Sequence, residues 1–191
     1  MIAARTRGGP RWGIFLGLAV AVVVIDRLSK AWLVGQLEPG QSMAVLGDLV
    51  RLTFVQNSGA LFGLFQDSAL IFGLVSLVVV GAIVWYHGNA GRSTLLSVAL
   101  GLLLGGAIGN LIDRLTLGYV VDFVDVGLGT LRFYTFNAAD AAISTALLLL
   151  ITSAFLPALR PTSEAAPGEP GQQGQPTEPG PRSGAEAAHD G

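Results

Sequence analysis

Carboxyl groups are the main candidates for chemistry in this sequence, because most other catalytic side chains are missing or badly placed. The chain has no cysteine, and its two histidines are His87, between two apolar segments, and His189, near the C-terminus. A thiol nucleophile, a Ser-His-Asp triad and a His- or Cys-ligated zinc site are therefore disfavoured. Ser29 and Lys30 are adjacent, and neighbours on a helix do not face each other, so a Ser-Lys dyad is disfavoured too.

Two carboxyl groups held close together can hydrolyse a peptide bond without help from other residue types. Like charges at short range cannot both ionise, so one group stays protonated while the other takes a proton from water. Five aspartates are candidates for such a pair: Asp26, Asp113, Asp122, Asp125 and Asp140. Spacing alone does not select two of them.

Neighbouring cations separate these aspartates into two groups. Asp26 has Lys30 four residues on, and Asp113 is followed by Arg114, so we expect both carboxylates to remain ionised in structural ion pairs.

Asp122 lies in an apolar run and Asp140 has no cation within one helical turn, which makes these two better candidates for shifted pKa values. Asp122 and Asp125 point to opposite faces of an extended segment, so at most one of them faces a common site.

Four apolar segments position these residues. Only 13% of the chain is charged and 51% is hydrophobic, whereas soluble domains carry about 25% charged residues. In lipid the backbone must satisfy its own hydrogen bonds, so long apolar segments are helical. The sequence therefore predicts an all-α integral membrane protein, a four-transmembrane-helix bundle with spans at about 12–34, 68–86, 93–112 and 138–159.

The segments between and after the spans predict a small β element and a tail. Residues 42–55 and 119–136 alternate in polarity around Gly47-Asp48 and around a second glycine turn, which indicates two extracytoplasmic hairpins. Residues 161–191 are rich in Pro and Gly, and we predict a disordered cytoplasmic tail there. No basic stripe interleaved with aromatics indicates nucleic-acid binding.

Orientation follows from the basic residues in short flanking segments. Five of them fall on one side of the predicted membrane, which places both termini in the cytoplasm: Arg5, Arg7, Arg11, Arg92 and Arg160. On the opposite, outer side, polar residues gather at the ends of three spans and in the loop that contains Asn57. Charges at membrane depth are costly, so we expect these groups to face the bundle interior.

Glycines add a packing prediction for the third span. Gly101, Gly105 and Gly109 recur every four residues, and small residues at that spacing let another helix approach closely.

Five sequence motifs, in order, resemble those of the bacterial lipoprotein signal peptidase family, also called signal peptidase II. They are "DRLSK", "NSGALFG", "GNLIDRL", "VVDFVDV" and "FNAADAAI". The resemblance covers Trp12 to about Leu159 and implies a peptidase of the bacterial cytoplasmic membrane, so we assign residues 1–160 to one membrane peptidase domain. It implies an aspartic endopeptidase that removes the signal peptide from prolipoproteins just before a diacylglyceryl-modified cysteine, with no metal or organic cofactor.

The resemblance also assigns roles to individual positions. It implies that Asp122 and Asp140 form the catalytic pair, in agreement with the electrostatic preference. Implied substrate contacts are Asn57, Gly59, Asn110, Arg114 and Asn137. The positions implied to be supporting are Asp26, Lys30 and Asp113.

Two other functions remain as alternatives from the residues alone. A small transporter or proton pathway could use the same Asp and Arg residues, although pathways usually need polar groups through the full membrane depth. A non-catalytic lipid-binding or scaffold protein would tolerate loss of Asp122 and Asp140.

One chain supplies enough helices for the site, so we expect a monomer. The family resemblance implies that its partners are prolipoproteins and membrane lipid.

Overall fold

The computed structural model of the chain describes residues 9–59 and 69–155. The predicted tail at 161–191 and the end of the fourth predicted span, 156–159, lie outside the described residues. The helices and strands in chain order are α1 (Trp12–Val34), β1 (Ser42–Leu46), β2 (Val50–Asn57), α2 (Ala69–Ala90), α3 (Thr94–Leu117), β3 (Val120–Leu128), β4 (Leu131–Arg132) and α4 (Ala138–Phe155).

Among these described residues, four helices are long and apolar enough to cross a membrane. Their outward surfaces carry exposed large apolar side chains, such as Val20, Val78 and Leu148, which suit contact with lipid rather than water. Each helix bonds its own backbone, as a lipid environment requires. The predicted fold class, a four-helix membrane bundle with a small β element, is confirmed.

Two helix ends differ from the predicted spans. α2 continues to Ala90 instead of ending near residue 86, and α3 continues to Leu117 instead of ending near residue 112. His87 therefore lies in the last turn of α2, where its ring stacks on Phe15 and Nε2 lies 3.1 Å from the Ser97 Oγ atom. The polar residues after Tyr86 predicted a loop there, but polar groups at a helix end can find partners on neighbouring helices.

α3 lies at the centre of the bundle and contacts each of the other three helices. A Cβ atom added at Gly105 would lie 2.7 Å from the Ala19 carbonyl oxygen, and one at Gly109 would lie 2.7 Å from Asp26 Oδ2. The predicted close approach at the glycine stripe is confirmed, and α1 is the helix that approaches.

Gly106 allows the same close approach towards α4. A Cβ atom there would lie 2.5 Å from the Ala139 carbonyl oxygen, whereas one at Gly81 in α2 would meet nothing within 4 Å. We expect Gly106→Ala to lower the free energy of unfolding by about 1–3 kcal/mol through overpacking and to reduce turnover by displacing the first turn of α4. Gly81→Ala is the matched control and should match wild type in a thermal unfolding assay in detergent. Equal stability of the two variants would contradict this packing.

The four strands form one antiparallel sheet in the order β1-β2-β3-β4. Both predicted hairpins are present, and Gly47 and Gly129 take φ values of +52° and +56° in their turns, which favour glycine. Gly118, with φ +77°, ends α3 and turns the chain directly into β3. The inner end of the sheet packs on the bundle through a buried cluster of Leu33, Phe54, Val121 and Phe123.

Candidate active site

Asp122 and Asp140 lie in a network of amide groups at the end of the bundle that carries the sheet. Asp122, on β3, accepts hydrogen bonds from Asn57 Nδ2 at 2.9 Å and Asn137 Nδ2 at 2.7 Å. Asp140, in the first turn of α4, accepts from Asn110 Nδ2 at 2.8 Å and from the Asn137 backbone N–H at 3.2 Å. Each of the four carboxyl oxygens thus has one amide donor.

Asn137 holds both carboxyl groups because it also caps α4. Its Oδ1 atom accepts the Asp140 N–H at 2.9 Å, while Asp140 accepts the Asn137 N–H in return. This reciprocal pair is a capping box, in which a short polar residue and an acid three positions on satisfy each other's N–H groups. With its oxygen committed to the cap, the Asn137 amide nitrogen points at Asp122.

Lys30 fixes the orientation of the Asn110 amide. Asn110 Oδ1 accepts from Lys30 Nζ at 3.2 Å and from Asn137 Nδ2 at 3.1 Å. Since two donors face the oxygen, the amide nitrogen is left to donate to Asp140. The amide network is therefore connected to a buried cation on α1.

That cation belongs to an ion cluster beneath the network. Lys30 Nζ lies 2.7 Å from Asp26 Oδ2 and 2.8 Å from Asp113 Oδ2, and all three side chains are buried. Asp113 also pairs with Arg27 on α1 and accepts the Val121 N–H at 3.2 Å, which ties the start of β3 to the bundle. Because removing one partner leaves an uncompensated buried charge, such clusters are costly to break.

The expected pairing of Asp113 with Arg114 is wrong among the described residues. Consecutive residues on a helix point in different directions, and Asp113 faces α1 while Arg114 faces α2. The Arg114 guanidinium donates to the Asn110 carbonyl oxygen at 3.3 Å and lies 5.9 Å from the Phe72 ring centroid. The pairing of Asp26 with Lys30 is confirmed, and Lys30 is therefore engaged with carboxylates rather than with Ser29, which donates to the Asp26 carbonyl.

A cavity of about 350 Å³ opens beside the two carboxyl groups. Asn57, Asn110, Asp122 and Asp140 line its polar end, together with Arg114. Apolar side chains of α2, α3 and α4 form most of the remaining wall: Phe72, Val75, Val79, Leu103, Ala107 and Ile143. The space thus joins an acidic end to a wall suited to hydrocarbon.

Electrostatics distinguish Asp122 from an ordinary aspartate. Burial raises the pKa of its carboxyl from an ordinary value of 3.8 to about 6, and the nearby charge of Asp140 contributes in the same direction. The hydrogen bonds from Asn57 and Asn137 favour the ionised form and lower the pKa. Asp122 therefore retains its proton at a pH at which an exposed aspartate has lost it.

Comparison with known proteins gives the family of this chain. The family model described as signal peptidase (SPase) II matches residues 18–156. The chain is 47% identical over 153 residues to the lipoprotein signal peptidase of Caulobacter vibrioides, covering 75% of this chain and 87% of that protein. It is 41% identical to the lipoprotein signal peptidase of Syntrophomonas wolfei subsp. wolfei, covering 73% and 89%.

This chain belongs to the signal peptidase II family. A solved bacterial membrane enzyme, determined by the in meso method, has a similar fold with a TM-score of 0.74 and 26% sequence identity, covering 83% of this chain and 98% of that one. The family and the four apolar helices make the chain a multi-pass bacterial membrane peptidase.

Most of the site residues predicted for this signal peptidase II member lie together. Asn57, Asn110, Asp122, Asn137 and Asp140 form the amide network described above. Gly59 also lines the cavity and donates its N–H to Asn57 Oδ1 at 3.1 Å. Arg114 lines the cavity as well, whereas Asp26, Lys30 and Asp113 are buried next to the network and line no part of this cavity.

Tyr134 is a cavity residue that the sequence did not single out. It lines the main cavity and also a second one of about 290 Å³, which Asp140 lines as well. Burial raises the pKa of the Tyr134 phenol, and the charges of Asp140 and Asp122 raise it further. The sequence signal that could have identified Tyr134 is its position two residues before the "FNAAD" motif.

Within residues 9–59 and 69–155, no three side chains of His, Cys, Asp or Glu are grouped as metal ligands. Each oxygen of Asp122 and Asp140 accepts an amide hydrogen bond instead.

Proposed function

We propose that this chain is an aspartic endopeptidase that cleaves the signal peptide from diacylglyceryl-modified prolipoproteins just before the lipidated cysteine. Asp122 and Asp140 are the proposed catalytic pair. The observation that carries the proposal is the amide network, which gives each carboxyl oxygen one donor at the mouth of an apolar cavity. The names of the relatives, lipoprotein signal peptidases, support the substrate class.

The mechanism follows from the different environments of the two carboxyl groups. Asp122, with its pKa raised to about 6, holds the shared proton and transfers it to the scissile carbonyl oxygen during the attack. Asp140, the proposed base, takes a proton from the attacking water as the C–O bond forms. The tetrahedral intermediate collapses when the C–N bond breaks, and the leaving amine takes a proton from Asp140. Asp122 regains its own as the carbonyl re-forms.

The remaining predicted contacts have roles in this proposal that fit their positions. Asn57 and Gly59 lie at the cavity edge on the strand side, where they can bond an extended peptide backbone. Arg114 can bind a peptide carbonyl or a lipid oxygen. The apolar wall of Val75, Leu103 and Ile143 suits hydrocarbon, either acyl chains or apolar residues of the signal peptide.

A transporter or proton pathway fits the described residues less well. An apolar cluster that includes Phe15, Ile83 and Leu100 fills the core of the bundle. His87 and Ser97 are buried next to Phe15, beyond this cluster from the carboxyl groups. A proton or polar solute would have to cross an apolar layer that offers it no partner.

The direct test uses purified full-length protein in detergent micelles. A diacylglyceryl-modified prolipoprotein should be converted to a shorter product whose new N-terminus is the lipidated cysteine, and the same prolipoprotein without the lipid serves as the control substrate. Mass spectrometry of both fragments identifies the cleaved bond. Absence of cleavage, or cleavage elsewhere, would overturn the proposed reaction.

The proposed reaction has a predicted pH dependence. Deprotonation of Asp122 leaves two like charges and no acid, so kcat/KM should fall as pH rises through about 6. Asn57→Ala removes a hydrogen bond that favours the ionised form of Asp122, so the pKa of Asp122 should rise. The alkaline limb of the kcat/KM–pH profile should therefore move to higher pH. KM should rise as well, because Asn57 is a proposed substrate contact. An unchanged alkaline limb in this variant would contradict the assignment of the limb to Asp122.

The proposed orientation places both termini in the cytoplasm and the carboxyl groups near the outer face. The chain has no cysteine, so single cysteines report their own position without background. In intact cells, Ala44→Cys, at an exposed position of β1, should react with a membrane-impermeant thiol reagent, whereas Asn89→Cys at the end of α2 should react only after lysis. The reverse pattern would invert the orientation.

A further inference from the structure

One face of the four-stranded sheet is entirely apolar beyond the candidate site. Directly opposed residues of an antiparallel sheet share a face, and successive residues alternate between faces. The strand register, and the Phe133 N–H bonded to the Val126 carbonyl, place nine side chains on one side. We call the surface formed by these nine side chains the apolar sheet face. They are Met43, Leu46, Val50, Leu52, Val124, Val126, Leu128, Leu131 and Phe133.

The outer part of this face is exposed. Leu131, Leu128 and Leu46 are 83%, 65% and 61% exposed, and Phe133 is 59% exposed. Asp122 lies at the inner end of the same face, because it is two residues before Val124 on β3 and alternate residues of a strand share a face. The apolar sheet face therefore extends from the candidate site to the ends of both hairpins.

The opposite face carries the charges of the sheet, and these charges are paired. Arg132 Nε lies 2.6 Å from Asp125 Oδ1, and Thr53 Oγ1 donates to Asp125 Oδ2 at 3.2 Å. Arg51 is the register partner of Asp125 and pairs with Asp48 in the β1–β2 turn. A sheet surrounded by water turns a polar face to the solvent. Here a polar face and a large exposed apolar face lie back to back.

The connections hold this sheet close to the membrane. β3 begins three residues after Leu117, the last residue of α3, and Leu115 and Leu117 are exposed apolar side chains at the end of that spanning helix. On the other side, Asn137 caps α4, which begins at Ala138. Both chain connections from β3 and β4 thus enter membrane-spanning helices within a few residues.

We propose that the apolar sheet face lies against the lipid bilayer, with the hairpin ends at Leu46, Leu128 and Leu131 among the lipid tails near the headgroups. Contiguous patches of exposed apolar side chains mark membrane or protein contacts. A protein partner usually forms hydrogen bonds across its interface. The nine side chains of the apolar sheet face offer no hydrogen-bonding group between Asp122 and the hairpin ends. Leu115 and Leu117, at the nearby end of α3, are likewise exposed and apolar, while the paired charges on the other face of the sheet can remain in water.

This inference goes beyond peptide hydrolysis and does not depend on it. It assigns a second membrane contact to a part of the chain outside the spanning helices. It also gives the sheet a fixed depth at the membrane surface, and this depth sets the position of the Asp122 carboxyl group relative to the bilayer.

The test uses single-cysteine variants, because the chain has no cysteine of its own. Leu131→Cys places a nitroxide label on the apolar sheet face. Ala44→Cys is the matched control, since Ala44 is exposed and pairs with Arg51 on the opposite face. Both full-length variants are reconstituted singly in phospholipid nanodiscs, and collision rates are measured with oxygen, which partitions into lipid, and with a water-soluble nickel chelate.

We expect the label at position 131 to collide at least about tenfold more with oxygen relative to the chelate than the label at position 44 does. Equal ratios at the two positions would show that water covers both faces and would overturn the proposal. Protection of position 131 from both reagents would also overturn it, because protein would then cover the face. Unchanged thermal unfolding of both variants before labelling shows that the sheet is intact.

Discussion

Asp122→Asn and Asp140→Asn should each lower kcat on diacylglyceryl-modified prolipoprotein on the order of 10⁴-fold, as expected for loss of an acid or a base. Asp122→Asn removes the group that donates to the scissile carbonyl, and Asp140→Asn removes the group that accepts a proton from water. Both replacements keep the shape of the side chain. Each leaves one amide donor without an acceptor, which costs about 1–3 kcal/mol and should leave the protein folded.

Asp125→Asn is the control for these two variants. Asp125 is also a buried aspartate of β3, but it lies on the opposite face, where it pairs with Arg132. We expect this variant to lose some stability and to keep wild-type turnover. Turnover is followed by the size shift of the substrate in detergent, and unfolding temperature is measured on the same samples. Normal cleavage by either dyad variant rules out the proposed pair.

Substitutions of Asn137 should have the second largest effect, on the order of 100-fold in kcat/KM, similar to removal of one donor from a preorganised site. Its amide nitrogen donates to Asp122 and Asn110, and its oxygen caps α4. Asn137→Ser and Asn137→Ala both lose the donor to Asp122. Only Asn137→Ser keeps an oxygen that can accept the Asp140 N–H and so preserve the cap.

The two variants separate the cap from the chemistry. We expect similar losses of turnover, with Asn137→Ala less stable than Asn137→Ser by about 1 kcal/mol, the usual contribution of an N-cap. The alkaline limb of kcat/KM should move to higher pH in both, because the bond from Asn137 lowers the pKa of Asp122. Near-normal turnover by Asn137→Ser would show that the amide donor is dispensable.

Sequence patterns predicted the elements whose signals are local. Twenty apolar residues can only be a helix in lipid, and the turns at Gly47 and Gly129 need positive φ values that glycine allows. The glycine stripe of α3 likewise predicted a close helix contact, because the absence of a Cβ atom is visible in the sequence. These features depend on residues that are near each other in the chain.

Features that depend on tertiary contacts were predicted less well. Arg114 follows Asp113 in sequence, but the helix turns Asp113 towards Lys30 and Arg27 on α1. No local pattern indicates that partner. The sequence also showed carboxyl groups at one depth without showing which of them meet, and the preference for Asp122 and Asp140 rested mainly on a family resemblance. Tyr134 gave no signal beyond its proximity to the "FNAAD" motif, because its contribution to two cavities depends on the path of residues 133–136 after β4.

The double use of Asn137 has a consequence for biosynthesis. Asp122 receives one of its two amide donors from the residue that caps the last span to be made. If the proposed mechanism holds, the two acids have no common partner until α4 has folded into the bilayer. A partly inserted chain should then be inactive, and cleavage should begin only after α4 has joined the bundle.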